Sequence, residues 1–292
     1  MDIFTVLFYQ PIYNLIVVFY RLFSENLGLS IIAISLIAKL IMFPLILRQT
    51  RMMGKNMEAN DKMKEIKEKY KNDKEMQNKE LMKVNSEYLP TLLSGCLPLI
   101  VQLILFINID HVIRDIFSQG AASFNNLAYS FVPGFASNYT FHSSFFGIVD
   151  LGKTANEIGI GNLGPVLPYL ILIGLTGITQ YASMKLSFKG QAQMKEIRKK
   201  YGKEEKKKNK NDKKDPNKPD DFGDIVTNTT QQTMILFPAL LIFGALGFPI
   251  GLSIYWIAQG TFGIIQQLYV NRINGRQLEA EFQKKQTNPN IK

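Results

Sequence analysis

The stretch SLIAKLIMFPLILRQTRMM, residues 35–53, changes from an apolar run into a basic one and contains one lysine, Lys39, inside the apolar part. The full apolar run extends from residue 27 to residue 47, and Lys39 is its only charged side chain. At 1.5 Å per residue, an α-helix of this length is about 30 Å long, which matches the hydrocarbon core of a bilayer. The stretch therefore predicts a membrane-spanning helix that carries a cation.

Apolar segments of spanning length alternate with lysine-rich segments along the whole chain of 292 residues. Residues 231–270 contain no charged side chain, and this stretch is about twice as long as one span requires. It must fold back, and residues 247–249 (Gly-Phe-Pro) are the natural turn because proline resists helix continuation. The sequence thus predicts an all-α membrane protein with five transmembrane helices: 27–47, 91–109, 164–186, 231–246 and 250–270.

The first 26 residues are open to three interpretations: a signal peptide, a sixth span, or a helix on the membrane surface. A signal peptide is disfavoured because a basic start and a small-residue cleavage site are both missing. Four polar residues recur at helical spacing on one side: Gln10, Asn14, Arg21 and Glu25. Since Pro11 also shortens the clean apolar run, we predict an interfacial amphipathic helix over residues 1–26, with a sixth span as the alternative.

Basic residues are concentrated in three segments that five spans place on one face. Residues 48–90 contain 11 Lys or Arg, residues 185–230 contain 14, and the tail from residue 271 contains 5. Because cytoplasmic segments of membrane proteins are enriched in Lys and Arg, we expect this face to be cytoplasmic. We therefore predict a multi-pass protein of the plasma membrane, with its N-terminus outside and its C-terminus in the cytoplasm. Six spans also keep the three segments together, so charge alone leaves the number of spans open.

The segments between the spans are predicted to differ in structure. Residues 48–90 predict a cytoplasmic helical hairpin, because Lys, Glu and Met dominate them and Lys71-Asn72-Asp73 suits a turn. Residues 187–230 form a basic cytoplasmic loop that we expect to be partly disordered, because like charges crowd it and apolar residues are few. The remaining segments are an outer loop at 110–163, the outer turn at 247–249 and a cytoplasmic tail at 271–292.

Lys39 occupies an energetically unfavourable position, which indicates a functional role. A lysine at the centre of a spanning helix costs roughly 2.5–3.5 kcal/mol on insertion scales, which the apolar residues of this span offset. The five predicted spans contain no acidic residue that could pair with it. Because intramembrane cations usually face a bundle interior or a water-filled cavity, we expect Lys39 to point into a polar cavity. A structural lysine that reaches the interface or a backbone carbonyl is the alternative.

Uncharged polar side chains accompany Lys39 in the predicted spans. They are Ser35 in the first span, Gln102 in the second, Thr176, Thr179 and Gln180 in the third, and Gln259 in the fifth. Such residues either line a wet groove or form hydrogen bonds that hold neighbouring helices together. The sequence leaves both roles open for each of them.

Catalytic and metal chemistry are not indicated by the sequence. The two histidines, His111 and His142, lie outside the predicted spans and apart from the single cysteine, Cys96. No nucleotide-binding loop and no Ser-His-Asp arrangement can be proposed from these residues. We expect a protein without enzyme activity, cofactor, metal site or DNA partner, in which the net charge of +10 mainly reflects topology.

Four ordered motifs carry a resemblance to a known family. They are YQPIYN at 9–14, PLILRQTRMM at 44–53 after the cation of the first span, GCLPLIVQ at 95–102, and FPIGLSIYWIAQGTFGIIQQLYVNR at 248–272. In order and spacing these motifs resemble the YidC/Oxa/Albino membrane protein insertases. The resemblance covers most of the chain.

The resemblance implies a five-helix core around a hydrophilic groove that opens to the cytoplasm and to lipid. Lys39 is at the position of the groove cation, where the family typically has arginine, and Gln180, Tyr255 and Trp256 look like client-contacting side chains. EYLPTLLSG at residues 87–95 departs from the usual Asn-Pro turn and paired glycines of the family. The groove would also include the polar residues of the other spans: Ser35, Gln102, Thr176 and Gln259.

The function that the resemblance implies is an insertase that helps client transmembrane segments and short polar tails enter the bilayer. Its implied partners are nascent membrane proteins and the lipid bilayer, with the ribosome and a translocon as further candidates. A transporter or channel in which Lys39 attracts an anionic solute is the alternative, although the paired repeats usual in transporters are missing. A structural assembly factor would use the polar residues only to hold the bundle together.

Overall fold

The computed structural model describes residues 2–94, 97–202, 236 and 238–287, and most of them are helical. The predicted all-α class is confirmed for this part of the chain, with one small two-stranded sheet in addition. The described residues form two compact units. The first contains residues 2–42, 98–183, 236 and 238–264, and the second contains residues 43–94, 97, 184–202 and 265–287.

The chain begins with a π-helical turn (Thr5–Tyr9) that leads directly into α1 (Gln10–Leu22). Pro11 lies in the first turn of α1, where its missing N–H costs no helical hydrogen bond. Ser24 and Glu25 then adopt positive φ angles of 54° and 63°, which end the helix and turn the chain toward α2.

Helix α2 (Leu27–Lys69) contains the predicted first span and continues without interruption into the first arm of the basic hairpin. It ends at the predicted turn, and α3 (Lys74–Ser94) follows. Asp73 stabilises the start of α3, because its carboxylate accepts a hydrogen bond from the backbone N–H of Met76 at 3.0 Å. Gly95 and Cys96, where the sequence predicts an unusual entry to the second span, lie outside the described residues.

Helix α4 (Leu97–Gln119) corrects the predicted boundary between the second span and the loop that follows it. The sequence interpretation ended the span at residue 109 because Asp110 follows, but the helix continues for ten more residues. Buried Ile109, Val112 and Ile116 extend the apolar stripe at helical spacing, whereas the Asp110 carboxylate accepts a hydrogen bond from Arg114 at 3.0 Å on a more exposed side. The charged side chain of Asp110 is therefore accommodated within α4, and the helix continues beyond it.

The predicted loop 110–163 also contains regular structure beyond α4. A short helix α5 (Ala121–Asn125) is followed by strands β1 (Ser144–Phe145) and β2 (Val149–Asp150), which pair antiparallel. Helix α6 (Ala155–Ile158) begins with a capping box, in which the Thr154 hydroxyl accepts from the Glu157 N–H and the Glu157 carboxylate accepts from the Thr154 N–H.

Helix α7 (Leu163–Gly202) contains the third predicted span and reaches sixteen residues into the basic segment that was expected to be partly disordered. Residues 187–202 are helical and do not belong to a loop, because helix-forming Lys, Gln and Met continue α7, whereas the disorder predicted for the rest of the segment lies outside the described residues. Residues 203–230 lie outside the described part, as do residues 231–235 and 237 of the predicted fourth span. Residues 238–245 belong to α8, and a turn at residues 246–249 leads into α9 (Ile250–Thr287).

Two stretches in the described residues are long and apolar enough to cross a membrane, Leu27–Gln49 and Leu163–Met194. They contain the first and third predicted spans. The five-span arrangement stays a prediction, since two of its other spans include residues outside the described part.

The polar side of α1 is covered by the segment that follows α5. Asn14 donates from Nδ2 to the Leu127 carbonyl at 2.9 Å and accepts from the Tyr129 N–H at 2.9 Å, and Arg21 donates to the Pro133 carbonyl at 2.6 Å. The exposed residues of α1 and the turn before it are instead largely apolar: Ile3, Leu7, Leu15, Val18 and Leu22. The location of α1 on the membrane surface stays a prediction.

Candidate functional site

Helix α9 is the centre of the first unit, because residues 250–256 are all buried. Its N-terminus is held by the segment after β2, where the Ile250 N–H donates to the Lys153 carbonyl at 2.9 Å and the Gly251 N–H donates to the Leu151 carbonyl at 3.1 Å. A Cβ atom on Gly251 would lie 2.9 Å from Ile113 Cδ1 and 3.3 Å from the Leu151 oxygen. Glycine at this position therefore permits the close approach that satisfies two otherwise unpaired N–H groups.

Helix α9 meets α4 through one polar and one aromatic contact. The amide of Gln102 donates from Nε2 to the Tyr255 hydroxyl at 2.5 Å, and Tyr255 is completely buried. The next residue, Trp256, stacks on Phe106 with 5.4 Å between ring centroids and 14° between ring planes. Phe248 meets the same indole edge-on at 6.2 Å. Tyr255 and Trp256, predicted as client contacts, are thus packed inside the bundle.

Helix α9 meets α7 through hydrogen bonds and small residues. The Thr176 hydroxyl lies 3.3 Å from the Ser253 carbonyl, and Gln180 donates from Nε2 to the Trp256 carbonyl at 3.1 Å. One turn further along α9, a Cβ atom on Gly260 would lie 2.8 Å from Thr179 Cβ. Small side chains at these positions let the two backbones approach closely, as is typical of helix pairs in membranes.

Helix α9 meets α2 through Gln259 and Ser35. Gln259 donates from Nε2 to the Ser35 carbonyl at 3.4 Å, and both residues are buried. The Ser35 hydroxyl donates to the Ile31 carbonyl of its own helix at 2.5 Å. The other amide atom of Gln259, Oε1, is buried and accepts no hydrogen bond from the described residues. This buried acceptor is an unusual feature, because buried polar atoms are nearly always paired.

Lys39 lies one helical turn after Ser35 on the same face of α2. Its side chain is half-buried, whereas the next two residues, Leu40 and Ile41, are 57% and 72% exposed and Ser35 is buried. Within the described part of the chain no hydrogen bond or ion pair joins its ammonium group to another residue. Lys39 is therefore placed where a buried polar contact meets an exposed apolar surface.

Seven of the eight predicted site residues form contacts across helix interfaces, either with another of these residues or with the backbone of a neighbouring helix. Lys39 is the exception. These contacts match the interhelical role that the sequence left open for the polar residues, and their role in a groove stays a prediction.

Asn108 was not singled out from the sequence. This residue is completely buried on α4, and its Oδ1 accepts no hydrogen bond from the described residues. Its signal in the sequence was a single amide side chain inside the apolar run LILFINI at residues 103–109.

Comparison with known proteins places this helical bundle in a family. A sequence model of the family described as 60Kd inner membrane protein matches residues 18–277. The chain belongs to this family. The match includes α2, α4, α7 and α9 as far as residue 277, which form the contacts above, and it confirms the resemblance to the YidC/Oxa/Albino proteins.

Curated relatives of this chain carry the description membrane protein insertase YidC. The relative from Bradyrhizobium diazoefficiens is 27% identical over 266 residues, and the alignment covers 89% of this chain and 35% of the relative. The Geobacter metallireducens relative is 25% identical over 263 residues, covering 90% and 36% of the two chains. A Chlamydia caviae relative is 27% identical over 263 residues, covering 89% and 27%. The chain thus spans about a third of the length of the relatives it matches.

Proposed function

We propose that this chain is a membrane protein insertase that helps client transmembrane segments and short polar tails enter the bilayer. The family match and the description of the relatives support this activity. The observation that carries the proposal at residue level is Lys39, a half-buried cation without a partner among the described residues, on a helix of spanning length. A cation in this position is costly unless it serves a polar ligand or faces water.

The proposed mechanism is electrostatic and involves no covalent step. Lys39 attracts acidic or polar parts of a client that await passage, and the nearby Gln259 amide keeps this part of the bundle polar. A wet groove beside α2 shortens the apolar distance that a polar tail must cross, which lowers the barrier to its transfer. The apolar helix of the client then provides the driving force by entering lipid. No cofactor or enzymatic turnover is required.

We further propose that five transmembrane helices surround this groove and that it opens to the cytoplasm. The concentration of basic residues in 48–90, 185–230 and the tail supports a cytoplasmic location for these segments. It follows that the N-terminus and the segment 110–163 lie outside, with α1 at the outer membrane surface. The large exposed apolar side chains of α1 are suited to contact with lipid there.

Clients are proposed to contact the accessible polar residues first. Lys39 and Gln180 are half-buried, whereas Tyr255 and Trp256 are 0% and 6% exposed. Tyr255 and Trp256 therefore reach a client only if α9 moves away from α4, and their main role is to position α9. The proposed partners are nascent membrane proteins and the bilayer, with the ribosome and a translocon as candidates that deliver clients.

The insertase activity is tested with proteoliposomes that contain only this protein. A single-span client with a short tail is added, and protection of the tail from protease is compared with empty liposomes. We expect protection above the empty-liposome level. Absence of protection, with correct folding shown by circular dichroism, would contradict an autonomous insertase, and anion flux in the same vesicles would then favour the transporter.

A further inference from the structure

The hairpin formed by β1 and β2 ends in an apolar tip. Its turn consists of Phe146, Gly147 and Ile148, and the two apolar side chains are 68% and 65% exposed. The tip contains no charged or hydrogen-bonding side chain. Water is a poor environment for two neighbouring large apolar side chains, so the tip needs a partner.

The backbone of the turn gives no reason for an aromatic residue at its apex. The Ile148 N–H donates to the Phe145 carbonyl at 3.1 Å, and the two residues between them have positive φ angles, 52° at Phe146 and 71° at Gly147. Turns of this kind favour Asn, Asp or Gly at both central positions. Phenylalanine is strained there, so the side chain of Phe146 rather than its backbone accounts for its presence.

The hairpin tip lies beside the start of a membrane-spanning helix. The ring of Phe145 covers Gly28 so closely that a Cβ atom on this glycine would clash with Phe145 Cδ2. Gly28 belongs to the first turn of α2, where the apolar stretch Leu27–Gln49 begins. Phe146 is in turn in contact with Phe145, with 4.4 Å between the ring centroids. The tip is thus fixed beside the first turn of a helix of membrane-spanning length.

We propose that the hairpin tip, Phe146 and Ile148, inserts into the headgroup and upper acyl region of the lipid at the membrane face where α2 begins. The position of the tip favours lipid over a protein partner, because the hairpin packs against the first turn of a helix of membrane-spanning length. Aromatic side chains are favoured at this depth of a bilayer.

Insertion of the tip also has a structural consequence for the candidate site. Strand β2 leads directly into Leu151 and Lys153, whose carbonyls accept the hydrogen bonds from the N-terminus of α9. A tip held by lipid therefore fixes the segment that caps α9. This role concerns anchoring and does not depend on the proposed insertase activity.

The proposal is tested by labelling the tip with an environment-sensitive fluorophore. The single cysteine is removed by Cys96→Ser, and the label is attached in turn to Phe146→Cys, Ile148→Cys and the control Asn138→Cys, an exposed polar position. Each tip variant keeps the other apolar side chain. In phosphatidylcholine and phosphatidylglycerol vesicles, we expect blue-shifted emission at both tip positions, quenching by nitroxide phospholipids and protection from iodide.

Two outcomes would overturn the proposal. If iodide quenches both tip labels as strongly as the Asn138 label, the tip is in water. If the tip labels are protected from iodide and nitroxide phospholipids leave them unquenched, a protein surface covers the tip. Circular dichroism of every labelled protein shows whether its helices are intact, which separates either outcome from misfolding.

Discussion

Gln259 donates a hydrogen bond from its side-chain amide to the backbone carbonyl of Ser35, with 3.4 Å between Nε2 and O. In an α-helix the same carbonyl accepts the N–H of the residue four positions later, which is Lys39. The contact between α9 and α2 is therefore made at the helical turn that carries the cation. Gln259 therefore belongs to the proposed site around Lys39.

Substitution Gln259→Leu is expected to separate function from stability. It removes one long hydrogen bond and one buried acceptor that is unpaired among the described residues, so the free energy of unfolding should change by about 1 kcal/mol or less. Insertion should nevertheless fall, because the surroundings of Lys39 become less polar. The measurements are thermal unfolding in detergent and tail protection in proteoliposomes. Strong destabilisation with normal insertion would make Gln259 only a structural contact.

Substitution Gly260→Ala is expected to destabilise the interface between α7 and α9. The added Cβ would lie 2.8 Å from both Cβ and Oγ1 of Thr179, so the helices must separate, at a cost of about 1–3 kcal/mol. The matched control is Gly174→Ala on α7, where a Cβ has no neighbour within 4 Å. Thermal unfolding in detergent should show a lower Tm for Gly260→Ala than for the control. Equal Tm values would contradict the close packing.

Tyr139 is expected to resist ionisation at alkaline pH. Burial, followed by its hydrogen bond to the Tyr20 hydroxyl, raises the pKa of the Tyr139 hydroxyl above its ordinary value of 10.0. Its contribution to stability is complete below pH 10.0 and decreases above it, because the unfolded chain ionises there while the folded chain stays protonated. About one pH unit above that value, wild type and Tyr139→Phe should have equal tyrosinate absorbance while both remain folded.

The opposite result would be greater tyrosinate absorbance in the wild type than in Tyr139→Phe at that pH, with both proteins still helical by circular dichroism. It would show that the Tyr139 hydroxyl is accessible and that the segment around it does not pack against α1 as described. The comparison uses one protein with and without a single hydroxyl, so the tyrosines other than its hydrogen-bond partner Tyr20 cancel.

Local features of the fold were predictable from the sequence where one segment contains the whole signal. The turn before α3 follows from Lys71-Asn72-Asp73, and the membrane-spanning length of α2 follows from an apolar run with one charge. The end of α4 was wrong because Asp110 was taken as a boundary, although buried residues continue at helical spacing beyond it. A charged residue outside the buried stripe of a helix is no signal for its end.

Contacts between distant segments were not predictable, because periodicity gives the faces of a helix but not the partner of each face. Ser35 and Gln259 are 224 residues apart in the chain, and Gln102 and Tyr255 are 153 apart. The sequence identified all four as polar or family-like residues and left their roles open. Only the folded chain shows that they form pairs and that Lys39 is left without a partner among the described residues.

The central claim is that the charge of Lys39 draws polar tails of clients toward the membrane. It is tested most directly in proteoliposomes with two clients that differ only in an acidic or a neutral tail, using wild type, Lys39→Arg, Lys39→Met and the control Lys153→Met, an exposed lysine outside the predicted spans. Wild type, Lys39→Arg and the control should favour the acidic tail. Lys39→Met should lose roughly fivefold of this preference, which corresponds to about 1 kcal/mol for two charges 4 Å apart in water. If Lys39→Met keeps the wild-type preference, Lys39 does not act on clients by its charge.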